Sequence, residues 1–166
     1  DCELSRGLGD VYKRQLPTEA NNNYQGLKFA LWFFYLYLIL VAFRSFTHMF
    51  AQDAGLNSIA SIIIFPEVNN LNPNTVIYLI GSLWGGSQIV VLFISIIILI
   101  KYKSLLSLAW LVFVFDNILR IITMTMHNLD QDYLTSTAPG GLVGTSVMLF
   151  VTLLMFFIST IERKQK

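Results

Sequence analysis

Residues 104–126 read SLLSLAWLVFVFDNILRIITMTM, and the fold follows from that stretch. A helix needs about 20 apolar residues to cross ~30 Å of hydrocarbon. This run meets that length, and its only charges are Asp116 and Arg120. At 100° per residue, Asp116, Arg120, Thr123 and His127 fall within about 60° of one another. Unpaired polar groups are costly in hydrocarbon, so that face must look toward other helices and not toward lipid.

Three more runs have the same character. Residues 27–50 are interrupted only by Arg44 beyond the flanking Lys28. The uncharged stretch 68–100 opens with Asn72-Pro73, a capping residue followed by proline in a first helical turn. The uncharged stretch 133–161 supplies a fourth helix, expected to start after Pro139. Composition agrees: 55% of the 166 residues are apolar, 13% are charged, and the mean hydropathy is +0.62. Soluble domains carry about 25% charge. With a net charge of +1 there is no basic stripe of the kind that binds nucleic acid.

The expected fold is therefore all-α: an integral membrane bundle of four transmembrane helices, with spans at about 27–50, 74–100, 104–126 and 140–161. Residues 58–65 are apolar but too short to cross, and are expected to form an interfacial or re-entrant helix ended by Pro66. Lys28, Lys101, Lys103, Arg163, Lys164 and Lys166 flank one side, while the loops 51–72 and 127–139 contain no Lys or Arg. By the positive-inside rule both termini are cytoplasmic and the acidic loops face out, as in a multi-pass protein of the cell membrane.

Residues 1–15, DCELSRGLGDVYKRQ, do not share this pattern. They resemble translated sequencing-adapter sequence and are expected to lie outside the single membrane domain of 16–166. They include Cys2, the one cysteine, so neither a disulfide framework nor a thiolate metal site is expected.

Each span carries one polar or small stripe: Tyr37, Arg44 and His48; Gly81, Gly85, Gln88 and Ser95; Asp116, Arg120, Thr123 and His127; Gly141, Thr145, Thr152 and Ser159. Arg44 and Arg120 fall at similar heights in the outer half, with Asp116, Gln88 and Thr152 near the midplane. The inner half is nearly all Leu, Ile, Phe and Val. A polar chamber built from these stripes opens outward and is plugged on the cytoplasmic side.

The candidate ligand-binding residues are Arg44, His48, Gln88, Asp116, Asn117, Arg120 and His127. Asp116 and Arg120 also admit a purely structural reading, as an ion pair one helical turn apart, and Arg44 admits snorkelling to the headgroups. Gly81-x-x-x-Gly85 is expected to mark close helix packing. His48 and His127 lack metal-ligand spacing, and no metal site is expected. Most aromatic residues are expected to face lipid or the headgroup belts. No motif specifies an enzyme or names a cofactor.

Arg44-Ser-Phe-Thr-His48, Ile80-Gly-Ser-Leu-Trp-Gly-Gly86 and Asn117-Ile-Leu-Arg120 give the chain a pattern that resembles the DoxX-like four-helix membrane proteins. The resemblance implies a four-helix bundle and an accessory role in a membrane protein complex, beside redox enzymes that use quinone. It carries over no catalytic residue. Three functions follow as expectations. The first is a binding or accessory subunit, whose chamber takes a small amphipathic or quinone-like molecule with Arg44 and Arg120 as donors. The second is a small proton-coupled transporter, with Asp116 changing protonation. The third is a membrane enzyme using Asp116 or His48 as acid or base.

Overall fold

The computed structural model describes residues 19–135 and 140–161. The 1–15 segment, Pro139, and the bases Arg163, Lys164 and Lys166 lie outside the described residues. The chain forms four long helices: α1 Lys28–Phe50, α2 Asn74–Lys101, α3 Leu106–Met126 and α4 Gly140–Thr160. Each is long and apolar enough to cross a membrane, α3 together with the 3-10 turn Lys103–Leu105 before it. The described residues contain isolated β-bridges but no strand.

The start of α2 shows how local chemistry sets a boundary. Pro73 already has helical dihedrals, φ −64° and ψ −24°. Asn72 Oδ1 accepts the backbone N–H of Asn74 at 2.9 Å, satisfying one of the free donors of the first turn. The Asn74 side chain, buried at this end, exchanges two hydrogen bonds with the Phe65 backbone and so pins the preceding loop to the helix.

The helices pair as two hairpins. α1 lies close along α2 and α3 lies close along α4, while the seams between α1 and α4 and between α2 and α3 are looser. Gly85 permits the first close approach: a Cβ there would come within 2.5 Å of the Met49 backbone nitrogen. Gly81 likewise leaves room for Leu56 and Ala54 of the following loop. The expected close helix packing is found at Gly85, whereas Gly81 packs against the loop between α1 and α2.

Facing each other across the hairpins, α1 and α3 are filled by rings. Phe34 packs edge-on against Trp110 at 4.9 Å and Tyr37 against Phe113 at 4.8 Å, with all four side chains buried. Such pairs contribute about 0.5–1.5 kcal/mol each beyond the area they cover. Most aromatic side chains among the described residues are exposed, as expected, but Phe34, Tyr37, Trp110 and Phe113 are core, where their bulk fills the space between α1 and α3. The exterior remains apolar, as shown by Trp32 and Ile39, each 67% exposed. Core Ser45, Ser95 and Thr152 return their hydroxyls to the carbonyl four residues back on the same helix, so they need no partner from elsewhere.

The two ends of the molecule differ. At the end bearing Lys28, Lys101 and Lys103, Ser104 and Asn21 exchange hydrogen bonds. At the other end the loops after α1 and α3 are joined. Ile62 bridges to Leu134, Ile63 N–H donates to the Tyr133 carbonyl at 3.0 Å, and Thr135 N–H donates to the Ser61 carbonyl at 2.8 Å.

The expected helix at 58–65 does not form. The chain runs in turns through residue 60 and has no helix from 61 to 65, where Ile62 makes an isolated bridge. Ser61 takes a positive φ of 57°, and the Asn57 amide binds the carbonyls of Ile62 and Ile63. Three consecutive isoleucines before Pro66 favour the extended form over a short helix.

Candidate functional site

In the loop-end half, the looser packing between the hairpins leaves a cavity of about 700 Å³. Ligand sites span about 300–1,000 Å³. α1 contributes Tyr37, Leu40, Val41, Arg44 and His48 to its wall, and α3 contributes Asp116, Asn117, Leu119, Arg120, Thr123 and Met124. Trp84 of α2 and Gly141, Gly144, Thr145 and Met148 of α4 complete the sides. Leu56, Ile59, Ala60 and Ile62 lie over it from one loop, and Leu129 and Leu134 from the other. Toward the basic end the buried rings of Phe34, Trp110 and Phe113 close the floor. The outward polar chamber expected from the stripes is thus a cavity with a polar wall, an apolar roof and an aromatic floor.

The polar wall is organised around one indole. Arg120 lies over the Trp84 ring with its guanidinium carbon 4.7 Å from the centroid, and Arg44 approaches the same ring at 5.8 Å. A cation over an aromatic face is stabilised by about 0.5–2 kcal/mol, more when water is excluded. The His48 ring meets that indole as well, 4.5 Å away. Trp84 was not among the residues singled out from sequence. It could have been found there, because it sits one turn from Gln88 and three residues from Gly81 on the inward side of α2.

Charge pairing is unequal. Asp116 receives both Nε and Nη2 of Arg120, at 2.9 and 3.3 Å. That pair is consistent with an intrahelical ion pair, and it consumes the one acid at this depth. Arg44 Nη2 donates to Gln88 Oε1 at 2.9 Å. Its Nε is enclosed with no hydrogen-bond acceptor among the described residues. Among the described residues no carboxylate lies within ion-pair reach of Arg44. Two guanidiniums and one carboxylate leave one positive charge on the wall, held mainly by a neutral amide and an indole face.

Of the residues singled out from sequence, Arg44, His48, Asp116, Asn117, Arg120 and His127 line the cavity. Gln88 does not; it stands behind the wall and holds Arg44 in place. Asn117 gives its amide to the Phe113 carbonyl of its own helix. His48 Nδ1 is 2.7 Å from the Ala54 carbonyl, and since a carbonyl only accepts, Nδ1 carries the proton. That bond draws the loop onto α1, leaving His48 mainly structural. His127 is exposed at the rim and does not meet His48. Among the described residues no three His, Cys, Asp or Glu side chains gather as metal ligands.

The roof owes its shape to Asp53. Its carboxylate accepts the N–H groups of Gly55 at 2.9 Å and Ser58 at 2.8 Å. Partial burial alone would raise its pKa, but the hydrogen bonds from Ser58 and Gly55 outweigh it and hold the carboxyl below its ordinary value. The turn they close uses left-handed Ala54 and Gly55, at φ 49° and 68°.

No family model, curated protein or solved structure matches the chain.

Proposed function

We propose that the protein is a multi-pass protein of the cell membrane, with its basic ends in the cytoplasm, that binds a small amphipathic molecule in the outward half of its bundle. Arg44 and Arg120 donate hydrogen bonds to an anionic or carbonyl group, and the apolar roof and walls cover the remainder of the ligand. The observation that carries this reading is the pairing of Arg44: a half-buried cation with an enclosed Nε and an amide for a partner, on the wall of a cavity of ligand size. A cation at membrane depth costs about 2.5–3.5 kcal/mol on insertion scales, a cost that a purely structural residue would not need to incur.

The aromatic floor favours binding over transport. A solute leaving toward the basic end would have to displace Phe34, Tyr37, Trp110 and Phe113 together. The DoxX-like resemblance enters on the same footing, as the proposal that the bound molecule is quinone-like and that the protein is an accessory subunit of a membrane complex.

Thermal unfolding of the purified protein and of Arg44→Gln, each screened against quinones, fatty acids and small organic anions, tests the reading. The expected result is a ligand-dependent rise in Tm for the native protein that Arg44→Gln loses. A native protein that responds to no member of the screen sinks the proposal, and Arg44 is then a structural cation.

A further inference from the structure

We infer that the occupant of the cavity is a single-chain anionic lipid, a long-chain carboxylate, which reaches it sideways from the bilayer through the seam between α1 and α4. The inference rests on the binding reading above and adds the ligand's class and its route.

The route follows from which walls are closed. The floor is a layer of packed rings, and the roof is two loops tied to each other through Ser61, Ile62, Ile63, Tyr133, Leu134 and Thr135. The side between α1 and α4 is different. Leu40 lines the cavity and is 46% exposed. It lies about 18 Å along α1 from Lys28, at the rise of ~1.5 Å per residue, which places it at mid-span and not at a helix end. On α4, nearer the loop end, Gly141 and Gly144 also line the cavity, and among the described residues a Cβ built on either would meet nothing within 4 Å. Neither glycine is needed for close packing here. Among the described residues the first turns of α4 therefore leave the side of the cavity open near the loop end of the span. Leu40 carries the adjoining wall to mid-span, where a spanning helix is surrounded by hydrocarbon.

The ligand class follows from charge and shape. The wall carries one uncompensated positive charge, so a carboxylate settling against Arg44 and Arg120 completes the pairing that Asp116 supplies to Arg120 alone. The other walls are mostly apolar, as an alkyl chain requires. A volume of about 700 Å³ suits one chain, and a diacyl phospholipid would leave much of itself outside.

The test measures binding of hexadecanoate, hexadecanol, hexanoate and a neutral quinone to the purified protein, to Arg44→Gln and to Gly144→Leu. Gly144→Leu places a side chain in the seam, where a Cβ meets no described neighbour, and its melting temperature without ligand, expected to be no lower than the native protein's, checks that it folds. The native protein is expected to bind hexadecanoate at least about tenfold more tightly than either the uncharged chain or the short anion. Arg44→Gln should remove the preference for the carboxylate over the alcohol, and Gly144→Leu should weaken all long-chain binding. Hexadecanol bound as tightly as hexadecanoate, or hexanoate as tightly as both, overturns the inference while the binding reading stands. Tight binding of the quinone alone does the same. Binding of none of the four removes the reading and the inference together. Repeating the measurement in nanodiscs separates the sources: displacement of hexadecanoate by phosphatidylglycerol would give the site to a phospholipid headgroup and overturn the single-chain assignment. Unchanged hexadecanoate binding in Gly144→Leu overturns the lateral route.

Discussion

Asp116 and Arg120 form a bidentate pair on one helix, and both remain partly accessible, with side-chain exposures of 27% and 14%. Removing one member strands the other. Asp116→Asn should therefore destabilise, toward the lower end of the ~3–5 kcal/mol seen when a buried pair is broken. The double change Asp116→Asn with Arg120→Gln should recover at least about 1 kcal/mol of that loss in a double-mutant cycle. Equilibrium unfolding in detergent would measure both, and an additive double variant would show that the pair is not coupled. Arg44 differs because no carboxylate holds it. Its retention depends on Gln88 and on the Trp84 face, both neutral, which is why the charge excess sits at this residue and not at Arg120.

Among the elements, α2 determines how closely the first hairpin closes. Gly85 and Gly86 are neighbours with opposite surroundings. A Cβ at Gly85 would press on the backbone of His48 and Met49, which cannot move aside, whereas one at Gly86 would meet only the Met49 sulfur at 3.9 Å. Gly85→Ala should cost about 1–3 kcal/mol, as overpacking of a filled interior does. Gly86→Ala should stay within about 0.5 kcal/mol of the native protein. Thermal melts of the two variants decide it, and equal losses would place the α1–α2 contact elsewhere. The loop after α1 depends on this same approach. His48, brought close to α2 by Gly85, is the residue whose ring nitrogen binds the Ala54 carbonyl and sets the roof over the cavity.

For the whole molecule, the charge asymmetry of the ends is the basis of the proposed orientation. The described loop after α1 has Asp53 and Glu67, and the loop after α3 has Asp130 and Asp132, against Lys28, Lys101 and Lys103 at the opposite end. Cysteines introduced at Asp53 and Asp130 should react with a membrane-impermeant reagent on intact cells, and one at Lys103 should not. Labelling at Lys103 from outside would invert the proposed topology. Two tight hairpins with loose seams also explain why the cavity lies between them and not within either one. In hydrocarbon no hydrophobic force draws the hairpins together, so packing and the ring contacts of Phe34, Tyr37, Trp110 and Phe113 must do so, and these lie toward the basic end.

The four long helices were legible from sequence because spanning requires local properties: a length, a run of apolar residues and a cap such as Asn72-Pro73. The inward placement of Arg44, Asp116 and Arg120 was legible too, since helical periodicity and the cost of polar groups in lipid leave one direction open. Six of the seven candidate residues line the cavity for that reason. Tertiary structure alone decided the remainder. Whether Gln88 touches a ligand or a neighbour depends on the side chain that reaches it from α1. The stacking of Arg44 and Arg120 on one indole depends on three helices meeting. Residues 58–65 formed turns and irregular chain over the cavity and not a helix, in part because Tyr133 and Thr135, far along the chain, supplied hydrogen-bond partners to Ile63 and Ser61 that a local reading could not include. The open seam at Gly144 has the same origin: glycine leaves space wherever it stands, and only its neighbours determine whether that space is filled.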